Sequence, residues 1–78
     1  MTNLEKYRQA FVEAFEANEG EVEKFAFGET EGWDSIGHMS LIVALEEAFG
    51  IEFEPEEIMT IRSFENGKEV LGQKGIIF

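Results

Sequence analysis

Ser35 is the residue of this chain whose surroundings most invite chemistry. It stands in Gly32-Trp33-Asp34-Ser35-Ile36-Gly37-His38, with an acid just before it and the only histidine three residues after it. Ser35, His38 and Asp34 suggest a nucleophilic triad on paper. Side chains this close in sequence scarcely reach the required geometry, however, and no nucleophile elbow surrounds the serine. No carboxylate lies at a spacing that would orient His38 as a base, so the pattern predicts a partly buried structural histidine. The many acids raise the question of calcium, yet no stretch has the ligand alternation, glycine and final glutamate of an EF-hand loop, and no specific metal site is predicted. What remains is a hydroxyl at the mouth of a helix. In isolation such a serine is ordinarily a cap.

The helix that positions it is the best defined in the chain. Asp34 and Ser35 are both good N-cap residues and Gly50 supplies a positive-φ stop, so a helix is predicted from Ser35 to Phe49. At about 100° per residue, His38, Leu41, Ile42, Leu45, Ala48 and Phe49 fall within an arc of roughly 120°, the width of a core-facing stripe. Ile36, Met39 and Val43 project the other way and share their surface with Glu46 and Glu47. Apolar residues ringed by acids on an outward face suggest a docking surface.

The flanking segments read as supports for this helix. Thr2-Asn3-Leu4-Glu5 fits a capping box, and Leu4, Tyr7, Phe11, Ala14 and Phe15 follow at helical spacing, which predicts a first helix from Asn3 to Ala17 closed by Asn18-Glu19-Gly20. From Glu21 to Trp33 no period is sustained. This stretch is predicted to be a long connection anchored by Val22, Phe25, Phe27 and Trp33, with Gly28 and Gly32 permitting the turn that delivers Asp34 and Ser35 to the surface. Gly50 to Glu54 reads as an extended linker. Pro55 opens a short helix to Thr60 with Glu56 and Glu57 beside its positive end, burying Ile58 and, just beyond, Ile61. Ser63 can cap a last helix with Phe64, Val70 and Leu71 inward, which Gly67 and Gly72 weaken by about 1 kcal/mol each relative to alanine. The sum is an all-α bundle of three main helices and one short one, with a long loop between helices one and two, forming one domain over residues 1–78.

Composition narrows the functional classes. Seventy-eight residues with 44% hydrophobic content allow one small core. The absence of cysteine removes disulfides and thiolate metal sites, no segment has the roughly 18 apolar residues needed to cross a bilayer, and the start is not a signal peptide, so a cytoplasmic location is expected. Seventeen acidic against six basic residues give a net charge of −11, which repels nucleic acid and anionic membranes. Nine of the acids lie between Phe25 and Ile61, where there is no Lys or Arg. That half of the chain is suited to partners with basic patches.

The Asp34-Ser35-Ile36 triplet, the run from Leu41 to Phe53 and the later Glu56-Glu57-Ile58 together resemble the acyl carrier protein family, in its order and spacing, most sharply from Gly32 to Ile61. The resemblance implies a four-helix carrier bundle that is not itself an enzyme. It implies that a phosphopantetheinyl transferase moves 4′-phosphopantetheine from coenzyme A onto Ser35, with Asp34 as the preceding motif residue, and that the arm's thiol then holds acyl groups as thioesters. The start of a helix suits the phosphate, because free N–H groups and the dipole both face it. Acyl-loading and acyl-transferring enzymes would read Ile36, Met39, Val43, Glu46 and Glu47, with the carrier acting as a monomer. Gly37 and Ser40 stand where the usual fatty-acid carrier has acids. This version looks more like stand-alone carriers of specialised lipid, polyketide or surface-polysaccharide pathways. Two alternatives stay open: an aminoacyl or peptidyl carrier, and an unmodified acidic interaction module.

Overall fold

The computed structural model describes residues 2–78, and over them the chain is all-helical: α1 (Asn3–Phe15), α2 (Ser35–Phe49), α3 (Pro55–Thr60) and α4 (Phe64–Gln73). α1 begins as its residues dictate. Thr2 Oγ1 accepts the Glu5 N–H at 3.1 Å and Glu5 Oε1 accepts the Thr2 N–H at 2.8 Å. The Thr2 backbone N–H first, and the Thr2 hydroxyl second, hold the Glu5 carboxyl below its ordinary range. The end differs from expectation. α1 stops at Phe15, two residues early, because Glu16 takes the left-handed conformation (φ 51°) and the Ala17 N–H returns to Val12 O at 3.2 Å. A non-glycine residue there costs about 1–2 kcal/mol. The turn brings Ala17 back onto the core, the apolar contact that accompanies this kind of helix end.

α2 has the predicted bounds. His38, Leu41, Ile42 and Leu45 are buried on one face, and Gly50 closes the helix with φ 65°. That face packs on Tyr7, Ala10 and Phe11 of α1, and Phe64, Val70 and Leu71 of α4 complete the core. Tyr7 and Phe11 interlock with Phe64 at ring-centroid separations of 4.9 and 5.0 Å, so α1 and α4 meet through aromatic edges rather than aliphatic ridges.

The long connection is more ordered than its sequence suggests. It contains a short 3₁₀ turn, Val22–Lys24, and both Val22 and Trp33 are buried. It is also fastened from outside: Phe27 N–H donates to Arg62 O at 2.7 Å and Phe64 N–H to Phe25 O at 3.0 Å, which ties the loop to the α3–α4 junction. Gly28 and Gly32 have φ of 82° and 89°, the conformation the turn before α2 requires.

α3 and α4 are joined by one residue acting as a hub. Asn66 Oδ1 accepts from the backbone N–H of both Arg62 and Ser63 at 2.8 Å, while its Nδ2 donates to Thr60 O at 2.6 Å. At the other end of α3, Glu57 accepts the Glu54 N–H at 2.7 Å and pairs with Lys74 at 2.8 Å; the backbone bond first and the lysine second hold its carboxyl below the usual range. Gly67 has a packing reason to be glycine: a Cβ there would collide with the Tyr7 hydroxyl, which donates to Phe64 O at 2.7 Å across the α1–α4 contact.

Candidate functional site

Two residues competed to cap α2, and the outcome shapes the site. Asp34 is the cap: its Oδ1 accepts the Gly37 N–H at 2.9 Å, so Ser35 becomes the first helical residue. Its side chain is exposed, and its hydroxyl bonds no atom among the described residues. The other hydroxyls are engaged. Thr2 caps α1, Thr30 accepts the Ala26 N–H, Thr60 donates to Glu56 O and Tyr7 to Phe64 O. Of the remaining serines, Ser40 donates back to Ile36 O at 3.3 Å and Ser63 caps α4. Among the described residues Ser35 is therefore the one hydroxyl that is both exposed and without a hydrogen-bond partner.

The surroundings suit an anionic substituent on that oxygen. The amides of Ser35 and Ile36 lie in the first turn of α2 and have no partner among the described residues. Unpaired N–H groups at the positive end of a helix dipole attract a phosphate. Oriented donors and a protruding hydroxyl are what a phosphodiester at Ser35 needs.

His38 secures the platform below. The buried Trp33 donates its indole N–H to His38 Nδ1 at 2.9 Å, and His38 Nε2 lies 2.6 Å from Ile58 O, which uses the tautomer with the proton on Nε2. The chain Trp33–His38–Ile58 thus links the loop, α2 and α3 directly behind Ser35. With both ring nitrogens occupied and Asp34 spent on the cap, Ser35, His38 and Asp34 form no triad, in keeping with the structural role predicted for the histidine. A second brace is steric: Gly32 O passes so close to Gly37 that no Cβ fits between them. This accounts for a glycine at position 37.

Ser35 opens onto two apolar hollows separated by Met39. One runs along α2 past Ile36, Ser40 and Val43. The other, of about 240 Å³, lies between α2 and α3 and is walled by Phe27, His38, Met39, Ile58, Met59 and Arg62. Met59 and Arg62 were not singled out in the sequence, since α3 is too short for a periodic signal and only the fold brings its end beside Ser35.

The proposed docking residues divide. Ile36 is 80% exposed, Met39 and Val43 are about half exposed at 48% and 47%, and Glu47 is exposed beside them. Glu46 is different: it is half-buried, and its Oε2 accepts the Phe53 N–H at 2.9 Å, bracing the linker after α2. Among the described residues no His, Asp and Glu side chains cluster so as to hold a metal ion, and no helix is long and apolar enough to cross a membrane.

Residues 27–66, just over half of the chain, match the family model described as the phosphopantetheine attachment site. The match spans the end of the long loop, all of α2 and α3 and the start of α4, the elements that build the surroundings of Ser35. Families of this kind are carriers that work with phosphopantetheinyl transferases and further partner enzymes, and are generally not catalysts themselves. By its bundle, its free helix-terminal hydroxyl and this match together, the chain belongs to the phosphopantetheine-attachment family of carrier proteins, whose covalent cofactor is 4′-phosphopantetheine.

Proposed function

We propose that Ser35 is the attachment residue and that the protein is an acyl carrier, taking acyl groups from loading enzymes and presenting them to transferring ones. The observation that carries this reading is the state of the hydroxyls: among the described residues only Ser35 is both exposed and unengaged. In the modification, the Ser35 oxygen forms a bond to phosphorus of coenzyme A, its proton passes to a base of the transferase, and adenosine 3′,5′-bisphosphate leaves. The arm so attached supplies a thiol that holds acyl groups as thioesters. This chain's own residues contribute placement: Asp34 caps the helix and the first-turn amides face the phosphate.

The partner surface is Ile36, Met39 and Val43 with Glu47. A basic enzyme surface would be drawn in by the acids and would seat its apolar centre on the three exposed side chains. Glu46 has its carboxylate committed to Phe53 and acts from the edge. Gly37 and Ser40 leave the start of α2 less acidic than in a fatty-acid carrier, which favours a specialised lipid, polyketide or surface-polysaccharide pathway. The test is intact mass after incubation with coenzyme A and a broad-specificity transferase. One added phosphopantetheine, absent in Ser35→Ala, supports the carrier. No addition under conditions that modify a control carrier favours an unmodified acidic interaction module.

A further inference from the structure

Arg62 is the first cation after a stretch of nine acids, and the fold returns it to the side of Ser35: both line the hollow between α2 and α3, where Arg62 supplies the only guanidinium. Its posture is fixed. Nε donates to Met59 O at 3.1 Å, the guanidinium carbon lies 4.5 Å from the centroid of the Phe27 ring, and its backbone bonds both Asn66 and Phe27. Arg62, like Lys6 and Lys24, enters no ion pair among the described residues, but it alone of these three lines a hollow shared with Ser35. Capping the end of α3 accounts for Nε. It leaves the charge and the two terminal amino groups without a counter-ion.

We infer that Arg62 is the counter-ion of the phosphodiester on Ser35, and that this pair turns the near end of the arm into the hollow between α2 and α3. The inference rests on the assignment of Ser35. A planar guanidinium offers paired donors that match phosphate oxygens, and stacking on Phe27 holds the plane ready. The other hollow, along Ile36, Ser40 and Val43, has the same access to Ser35 but no cation. Charge therefore breaks the choice between two apolar paths. The selected path leaves Ile36 and Val43 uncovered for partners.

The pair is on the surface, so salt weakens it, which supplies a test on the unaltered protein. In holo protein at low salt, cross-relaxation from the geminal methyl groups of the arm is expected to reach Phe27 and Met59, and the Arg62 Nε–H resonance is expected to move between apo and holo forms. The methyl contacts should be lost in Arg62→Gln, together with a displaced ³¹P resonance, and both the contacts and the Nε–H shift should fade in the unaltered protein at about 1 M NaCl, where the Debye length is about 3 Å. Arg62→Lys, which keeps the charge without the fork, should retain part of the effect. Methyl contacts to Ile36 and Val43 at low salt, or a ³¹P resonance that neither Arg62→Gln nor salt moves, would overturn the inference. A chain that gains no phosphopantetheine mass overturns the assignment of Ser35 as well, and intact mass separates the two failures.

Discussion

Replacing an exposed helical glycine by alanine ordinarily stabilises a protein by about 1 kcal/mol. At Gly37 the sign should reverse, because the new methyl would meet the carbonyl oxygen of Gly32 and the Phe15 ring, backbone and aromatic neighbours that do not yield cheaply. Gly37→Ala is expected to lower stability by roughly 1–3 kcal/mol in urea denaturation, the usual cost of overpacking. A gain would mean that the loop before α2 is not pinned to it. At this scale the sequence was informative where chemistry is local. Asp34 and Ser35 announce themselves by type and position, whereas the Trp33–His38–Ile58 link and the hollow that Arg62 and Ser35 share depend on how distant segments meet. Nothing in the spacing of those residues encodes these arrangements.

Elements show the same division. α2 and α3 have the bounds their caps, proline and terminal glycine predict, but α1 ends two residues early because tertiary contact of Ala17 overrides the local preference of Asn18 and Gly20 for a stop. α4 was weakened on paper by two glycines, and the structure separates them. Gly67 makes room for the Tyr7 hydroxyl, while a Cβ at Gly72 would meet nothing within 4 Å. Gly72→Ala is therefore expected to stabilise by up to about 1 kcal/mol and Gly67→Ala to destabilise, measured side by side by thermal unfolding. Equal effects would refute the packing account of α4. The α3–α4 contact also carries a pH signature. The folded Glu57 carboxyl titrates below its ordinary value through Glu54 N–H and Lys74, so its contribution is complete above the ordinary carboxylate range and is lost as pH falls through the lowered native value. The stability difference between the unaltered protein and Glu57→Gln should accordingly be constant near neutrality and shrink below about pH 4.

Taken whole, the molecule sets a small aromatic core against a large negative charge. Seventeen carboxylates face six cations, and the ion pairs among the described residues engage only Glu23, Glu57 and Glu65. Self-repulsion should make the fold more stable as salt rises, by roughly 1 kcal/mol or about 4–8 °C in Tm for a chain of this size. A Tm that falls on adding NaCl would contradict that balance. The bundle, its order of helices and the long loop with its apolar anchors and glycine turn were legible in the sequence; the loop's fastening was not, since it comes from hydrogen bonds to Arg62 and Phe64 far along the chain. Among the described residues one exposed hydroxyl, that of Ser35, stands unengaged. The most direct test is fragmentation of the peptide bearing the phosphopantetheine mass after treatment with coenzyme A and a transferase: the group is predicted on Ser35, and its recovery on Ser40, Ser63 or any other residue would contradict the account.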